Sequence, residues 1–191
     1  MVLDVGCFGQ GIKKDDSNWP HAILKSRAKE VYGIDLELPD EYKNDSRYKV
    51  ASAEDFSFPV RFDTIFAGDL IEHVSNPGLF LNCVRKHLQP NGILILTTPN
   101  TFNLFNMTEK LTKKEPTTNP DHTFYFNSKV LSKLLEKNGM MTKEVSFLYT
   151  LGYKHKESWK KKFLNKVYWL LSKFTDKFVE TLVIVASAKD D

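Results

Sequence analysis

The sequence predicts an α/β fold: a doubly wound, mostly parallel sheet of seven strands, closed by an antiparallel C-terminal hairpin. Three observations predict it. Short apolar segments of strand length alternate with helical stretches as far as residue 139, the rhythm of βαβ units. The first strand runs directly into a turn with Gly6, Gly9 and Gly11, the pattern of a doubly wound sheet. The last two strand-like segments, residues 141–150 and 181–188, alternate with period two and are separated by a long helical stretch instead of a short crossover. At 191 residues and 22.0 kDa the chain is one domain, 1–191, with surface enough to bury a single core.

Residues 2–5 are a short buried strand ended by the glycine turn. Residues 19–29 carry Ile23, Leu24 and Ala28 at helical spacing and close the first crossover. Residues 30–35 form the second strand, 48–51 a short third and 62–67 the fourth. Asn76 followed by Pro77 is a helix start, and that helix extends to about His87. Pro90-Asn91-Gly92 reads as a turn into the fifth and most apolar strand, 93–98. A loop follows, over twenty residues rich in Asn, Thr and Lys; at that length it reads as a lid or acceptor loop, 101–126. Residues 127–138 place Val130, Leu131, Leu134 and Leu135 on one helical face, and Gly139 stops the helix. Between the two late strands, residues 157–174 read as a helix inserted at the hairpin tip.

Composition narrows the functional classes. Hydrophobic residues are 41% and charged residues 27%, which excludes global disorder. No apolar run has membrane-spanning length, and Met1–Val5 lack the basic leader of a signal peptide. Cys7 and Cys83 are too few for a disulfide framework or a cysteine-based zinc site, so a reducing, cytoplasmic setting is expected and no metal is called for. A net charge of +3 is too mild to demand nucleic acid. That charge is unevenly placed, however. Eight lysines against Glu157 and Asp176 put +6 in residues 154–177, leaving −3 elsewhere. Trp159, Phe163, Val167, Leu170, Leu171 and Phe174 recur there at three- and four-residue intervals. Such a basic amphipathic insertion suits peripheral contact with an anionic membrane; a lysine-faced helix packed on the protein and a homodimer contact are the other readings.

The segment Val2-Leu3-Asp4-Val5-Gly6-Cys7-Phe8-Gly9-Gln10-Gly11 carries most of the chemistry. Glycines after a strand let a ligand approach backbone that a Cβ would block. Asp35 ends the second strand, where an acid in this fold takes ribose hydroxyls. Together they point to a nucleoside-containing cofactor at the C-terminal strand ends. With these residues in place, the chain resembles the class I S-adenosylmethionine-dependent methyltransferases, a Rossmann-like fold, in their small-molecule and glycan branch. VLDVGCFGQG is similar to their first motif, YGIDLE to the ribose-binding acid and ASAEDFSF to the adenine-flanking segment. FDTIFAGDLIEHVSNP and LQPNGILILTTPN are similar to their fourth- and fifth-strand motifs. The spacing here, GxxGxG, departs from the GxGxxG of a dehydrogenase, the natural competitor.

The resemblance implies S-adenosylmethionine as cofactor, with Asp4, Gly6, Cys7, Phe8 and Gly9 beneath or along it. It implies that Asp35 takes the ribose and Leu36 packs on the adenine. Ala53 and Glu54 would lie at the adenine edge, and Gly68 and Asp69 beside the methionine moiety. Two departures stand out: Phe8 replaces a usual glycine, and Ser52 replaces the usual acid before Ala53, leaving Glu54 or Asp55 for the adenine. The segment Asn18-Trp19-Pro20-His21 resembles a subset in which an aromatic or histidine covers the cofactor. Methyl transfer to oxygen benefits from a base, and His122 and His73 are the candidate catalytic residues; each also reads as a packing or anchoring histidine. Asn100, Phe102 and Phe105 sit where such a fold builds its acceptor pocket, for a small molecule or glycan. The rival classes are a cofactor-binding protein without turnover and a membrane-associated regulatory module on the same fold.

Overall fold

A computed structural model describes residues 1–9, 19–112, 119–148, 170 and 178–189. Seven strands form one sheet in the order β3-β2-β1-β4-β5-β7-β6. The parallel strands are β1 (Val2–Val5), β2 (Val31–Asp35), β3 (Tyr48–Val50), β4 (Phe62–Gly68) and β5 (Leu88–Pro99). β7 (Thr181–Ala188) inserts antiparallel between β5 and β6 (Met140–Leu148). Helices α1 (Pro20–Arg27), α2 (Pro77–His87), α3 (Leu104–Thr112) and α4 (Ser128–Lys137) connect them.

The helix starts follow local chemistry. The Asn76 side chain accepts the N–H groups of Gly78 and Leu79, and Asn127 that of Val130, satisfying donors that the first turn leaves open. The core forms where the central strands meet the helices. Leu3, Ile65, Leu94, Leu96, Leu182 and Ile184 are fully buried together with Phe80, Leu81 and Val84 of α2 and Leu131 and Leu135 of α4. Burying a side chain such as Phe80 contributes about 2 to 3 kcal/mol.

Two segments differ from the sequence reading. β5 runs straight through Pro90-Asn91-Gly92. Leu88 pairs with Phe62, and the ladder resumes at Thr64↔Ile93 after a register shift. Asn91 absorbs the irregularity at φ 64°, a conformation asparagine tolerates better than most residues. The expected loop 101–126 contains α3, because Asn103 accepts the N–H of Asn106 and starts a turn there. The basic segment 154–177 lies outside the described residues apart from Leu170, and Gln10 and Gly11 lie outside them too. No helix among the described residues is long and apolar enough to cross a membrane. Because β1, β2, β4 and β5 are parallel, Val5, Asp35, Gly68 and Pro99 end on one edge of the sheet. The loops beyond them make the site.

Candidate active site

The turn after β1 is held open by backbone geometry. Gly6 has φ +79°, a region that side-chain-bearing residues avoid. Gly6 and Cys7 both donate their N–H groups to Ile34 O, at 2.9 and 3.1 Å, and Gly9 donates to Gly6 O at 3.4 Å. Phe8 N–H donates to Asp35 Oδ2 at 2.8 Å, and Leu36 N–H to Asp35 Oδ1 at 2.7 Å. Two backbone donors thus fix the carboxylate and leave lone pairs for ribose hydroxyls. Beside it Leu36 is 71% exposed, an apolar surface for a flat ring. Asp4, Gly6, Gly9 and Gly68 border one cleft. These residues fit the nucleoside and amino-acid ends of the expected cofactor.

Several expected contacts change. The Phe8 side chain packs against Trp19, His21 and Tyr42 (centroids 5.4, 6.0 and 4.8 Å), so its backbone alone serves the ribose acid. This explains how a bulky residue stands where a glycine is usual: its ring fills an aromatic cluster beside the turn. The Cys7 thiol is packed against the β2 backbone at Gly33, and burial pushes its pKa up. His21 is fully buried at the border of that cleft, with Nδ1 2.8 Å from Asp4 Oδ2. Asp4 is 2% exposed and is tied to His21 before any ligand arrives. The Glu54 carboxylate accepts Ser75 N–H at its Oε1, at 2.6 Å, and so ties the segment after β3 to the approach to α2. Ala53 packs on the core cluster near that tie, and Asp55 is exposed.

At the tip of β4, Gly68 lies over the Phe66 ring, and Asp69 adopts φ 46°, a strained backbone for a side-chain-bearing residue. Thr97 holds it there: Asp69 N–H donates to Thr97 O and Oγ1, both at 3.0 Å, and Thr97 Oγ1 donates to Asp69 Oδ1 at 3.0 Å.

The two candidate histidines come from distant parts of the chain and meet. His73 and His122 stack edge to face with centroids 4.6 Å apart. Backbone carbonyls bring them together. Glu72 O accepts Thr123 N–H at 2.8 Å and Phe124 N–H at 3.3 Å. Thr123 Oγ1 lies 2.9 Å from Glu72 O and 3.0 Å from Val74 O. Burial, and then His73, lowers the His122 pKa, so its imidazole is neutral near pH 7.

Sequence reading passes over Glu72, the third member. It is 1% exposed, Thr98 Oγ1 donates to its Oε2 at 2.9 Å, and its Oε1 is buried with no hydrogen-bond partner. Burial raises its pKa to about 7. One ligand atom from each of Glu72, His73 and His122 falls within 4.8 Å of the others, a donor set that a shared proton or a divalent cation would suit. The signal in the sequence is a carboxylate in the apolar run Leu70-Ile71-Glu72-His73-Val74, directly before a candidate base.

Of the acceptor-side residues, Asn100 is structural. It is 2% exposed, donates its side-chain amide to Val179 O at 3.0 Å and accepts Phe102 N–H at 3.2 Å. Phe102 is 56% exposed and Tyr125 52%. The Phe105 side chain lies outside the described residues, though its backbone belongs to α3.

An open α/β sheet with a glycine turn after β1, a ribose-type acid at the β2 tip and an antiparallel β5-β7-β6 edge defines the class of S-adenosylmethionine-dependent methyltransferases. Residues 1–143 match the family described as a methyltransferase domain, and the chain belongs to it. A Mus musculus relative named ubiquinone biosynthesis O-methyltransferase, mitochondrial, is 28% identical over 166 residues, covering 77% of this chain and 43% of that protein. The chain therefore spans less than half the length of this curated relative. Among solved structures, an S-adenosylmethionine-dependent methyltransferase from Clostridium acetobutylicum superposes with a TM-score of 0.61 at 12% identity, over 99% of this chain and 84% of that one. Burkholderia thailandensis 1,6-didemethyltoxoflavin-N1-methyltransferase, bound to S-adenosylhomocysteine, gives 0.60 at 16% identity, over 99% and 71%. At such identities these two likenesses speak for the fold.

Proposed function

We propose that the chain transfers a methyl group from S-adenosylmethionine to a hydroxyl of a small molecule, with His122 as general base and His73 beside it. The observation that carries the reading is the convergence of His122 on His73 at the strand edge that bears the cofactor residues, with the His122 imidazole neutral. The bound cofactor supplies an electrophilic methyl on sulfur and its own leaving group. The protein's share is to align the acceptor oxygen and take its proton. A ring nitrogen of His122 would accept the hydroxyl proton. Exposed Phe102 and Tyr125 suit a flat acceptor, and the O-methyltransferase name of the mouse relative favours an oxygen acceptor.

The test is a methyl-transfer assay with small phenols and catechols, run in wild type and His122→Ala after cofactor binding is shown to be equal. Turnover should fall about tenfold or more, within the range for loss of a general base. Activity in the wild type should rise with pH and reach half its plateau below the ordinary histidine value of 6.5. Unchanged turnover in the variant removes His122 from the base role. Loss of wild-type activity in a chelator, restored by a divalent cation, would assign the cluster to a metal instead.

A further inference from the structure

Beneath the glycine turn lies a buried polar chain that the transfer chemistry does not use. Asp4 on β1, His21 in the first turn of α1 and Tyr48 at the start of β3 form an unbroken line. Asp4 Oδ2 lies 2.8 Å from His21 Nδ1, and His21 Nε2 lies 2.9 Å from the Tyr48 hydroxyl. His21 is 0% exposed and Asp4 2%, yet both border the cleft with Gly6, Gly9 and Gly68. An apolar residue could join β1 to α1 at less cost than a carboxylate withdrawn from water.

The line can hold its hydrogen bonds in two charge states. With one proton between Asp4 and His21, the pair is an anion; Nδ1–H donates to the carboxylate and Nε2 accepts the tyrosine O–H. With a second proton the pair is neutral overall, Nε2–H donates, and the same hydroxyl turns to accept. Burial raises the Tyr48 pKa to about 12, so its proton stays in place throughout. The other groups bearing on the line are few. Asp35 of β2 and the packed Cys7 thiol act on the Asp4 side. Tyr42, with Lys25 5.6 Å over its ring, and the Asp45 and Arg47 pair act on the Tyr48 side. None of the hydrogen bonds described for Lys25 or Arg47 reaches Asp4; burial pushes its carboxyl pKa up, and His21 is the partner that pulls it back down.

We propose that Asp4, His21 and Tyr48 form a proton-linked seat for the cationic end of the cofactor. The singly protonated anionic state favours binding, and binding expels the second proton. The seat rests on S-adenosylmethionine occupying the cleft beside the glycine turn. Because linkage is reciprocal, cofactor affinity rises with pH as the seat loses that proton. S-Adenosylhomocysteine lacks the sulfonium charge and so couples more weakly.

The experiment is titration calorimetry of the whole protein with S-adenosylmethionine and S-adenosylhomocysteine at about pH 6 and about pH 8, in buffers of different ionisation enthalpy. Wild type should bind S-adenosylmethionine about fivefold or more tightly at the higher pH, with net proton release, and S-adenosylhomocysteine with a smaller change. In His21→Gln the amide still donates to Asp4 but the imidazole no longer takes up the second proton, so the pH dependence should fall below that of wild type. A merely structural role would weaken binding by one factor at every pH. A His21→Gln slope equal to that of wild type overturns the seat, as does a flat wild-type slope. Absence of binding at both values would instead overturn the cofactor's place in the cleft. Should the variant not fold, histidine NMR of wild type decides: the His21 titration should move to lower pH on saturation with S-adenosylmethionine, and an unmoved titration overturns the proposal.

Discussion

Replacing Glu72 with Gln should make the protein more resistant to rising pH. The Glu72 carboxyl is 1% exposed, and its pKa is raised from the ordinary 4.5 to about 7, because burial penalises the charged form more than the Thr98 hydrogen bond offsets. The folded state therefore holds this proton more tightly than the unfolded state. Below 4.5 both states are protonated and nothing is lost. As pH climbs from 4.5 towards 7, the unfolded chain ionises first and folding stability drains away. Above about 7 the loss is complete, near 3 kcal/mol at about 1.4 kcal/mol per pH unit. Glutamine is neutral at every pH and its oxygen still accepts the Thr98 hydroxyl. Its buried amide N–H group carries a fixed cost, which cancels when the same comparison is made at two pH values. Between about pH 5 and about pH 8, the variant should therefore gain roughly 2 to 3 kcal/mol relative to wild type. Urea unfolding of both proteins, followed by circular dichroism in chelator-containing buffer, measures the difference. A stability gap that stays constant across that range would refute the claim that Glu72 is held protonated by burial.

Gly33→Ala should destabilise the protein by about 1 to 3 kcal/mol, since its new Cβ would lie 2.7 Å from Cys7 Sγ and 2.9 Å from the Tyr48 ring, with little room to shift. Denaturant midpoints would register the loss, and a variant as stable as wild type would show that β2 can move away from the turn. Asn76→Ala should cost about 1 kcal/mol, because the N–H groups of Gly78 and Leu79 lose their acceptor at the start of α2. A thermal midpoint unchanged by that substitution would show that water caps the helix equally well.

The parts of the site that rest on chain-local chemistry were legible beforehand. Gly6 at φ +79° and Asp35 at a strand tip follow from a turn and an acid at a fixed distance along the chain, and the hydrogen bond from Phe8 N–H to Asp35 joins them as that pattern implies. The fate of the Phe8, Glu54 and Asn100 side chains was not legible. Each can bond to a ligand or to the protein, and the choice depends on what another element brings within reach. An aromatic cluster claimed Phe8, Ser75 N–H took one oxygen of Glu54, and Val179 O, just before β7, claimed Asn100. α3 escaped notice because its start depends on Asn103 and Asn106, residue types that mark loops as readily as helix starts.

By itself the sequence determined the doubly wound sheet, its antiparallel edge and the side on which a nucleoside cofactor would bind. These follow from hydrophobic period, strand length and backbone stereochemistry, which act over a few neighbouring residues. Only the tertiary structure decided the chemistry at the strand edge. It set His122 against His73, some fifty residues away, and closed Glu72 off from water beneath them. It also placed His21, read from the sequence as part of a segment over the cofactor, at the centre of a buried line from Asp4 to Tyr48. Charge state and proton affinity depend on burial and on partners from other elements, and those exist only once the sheet has folded.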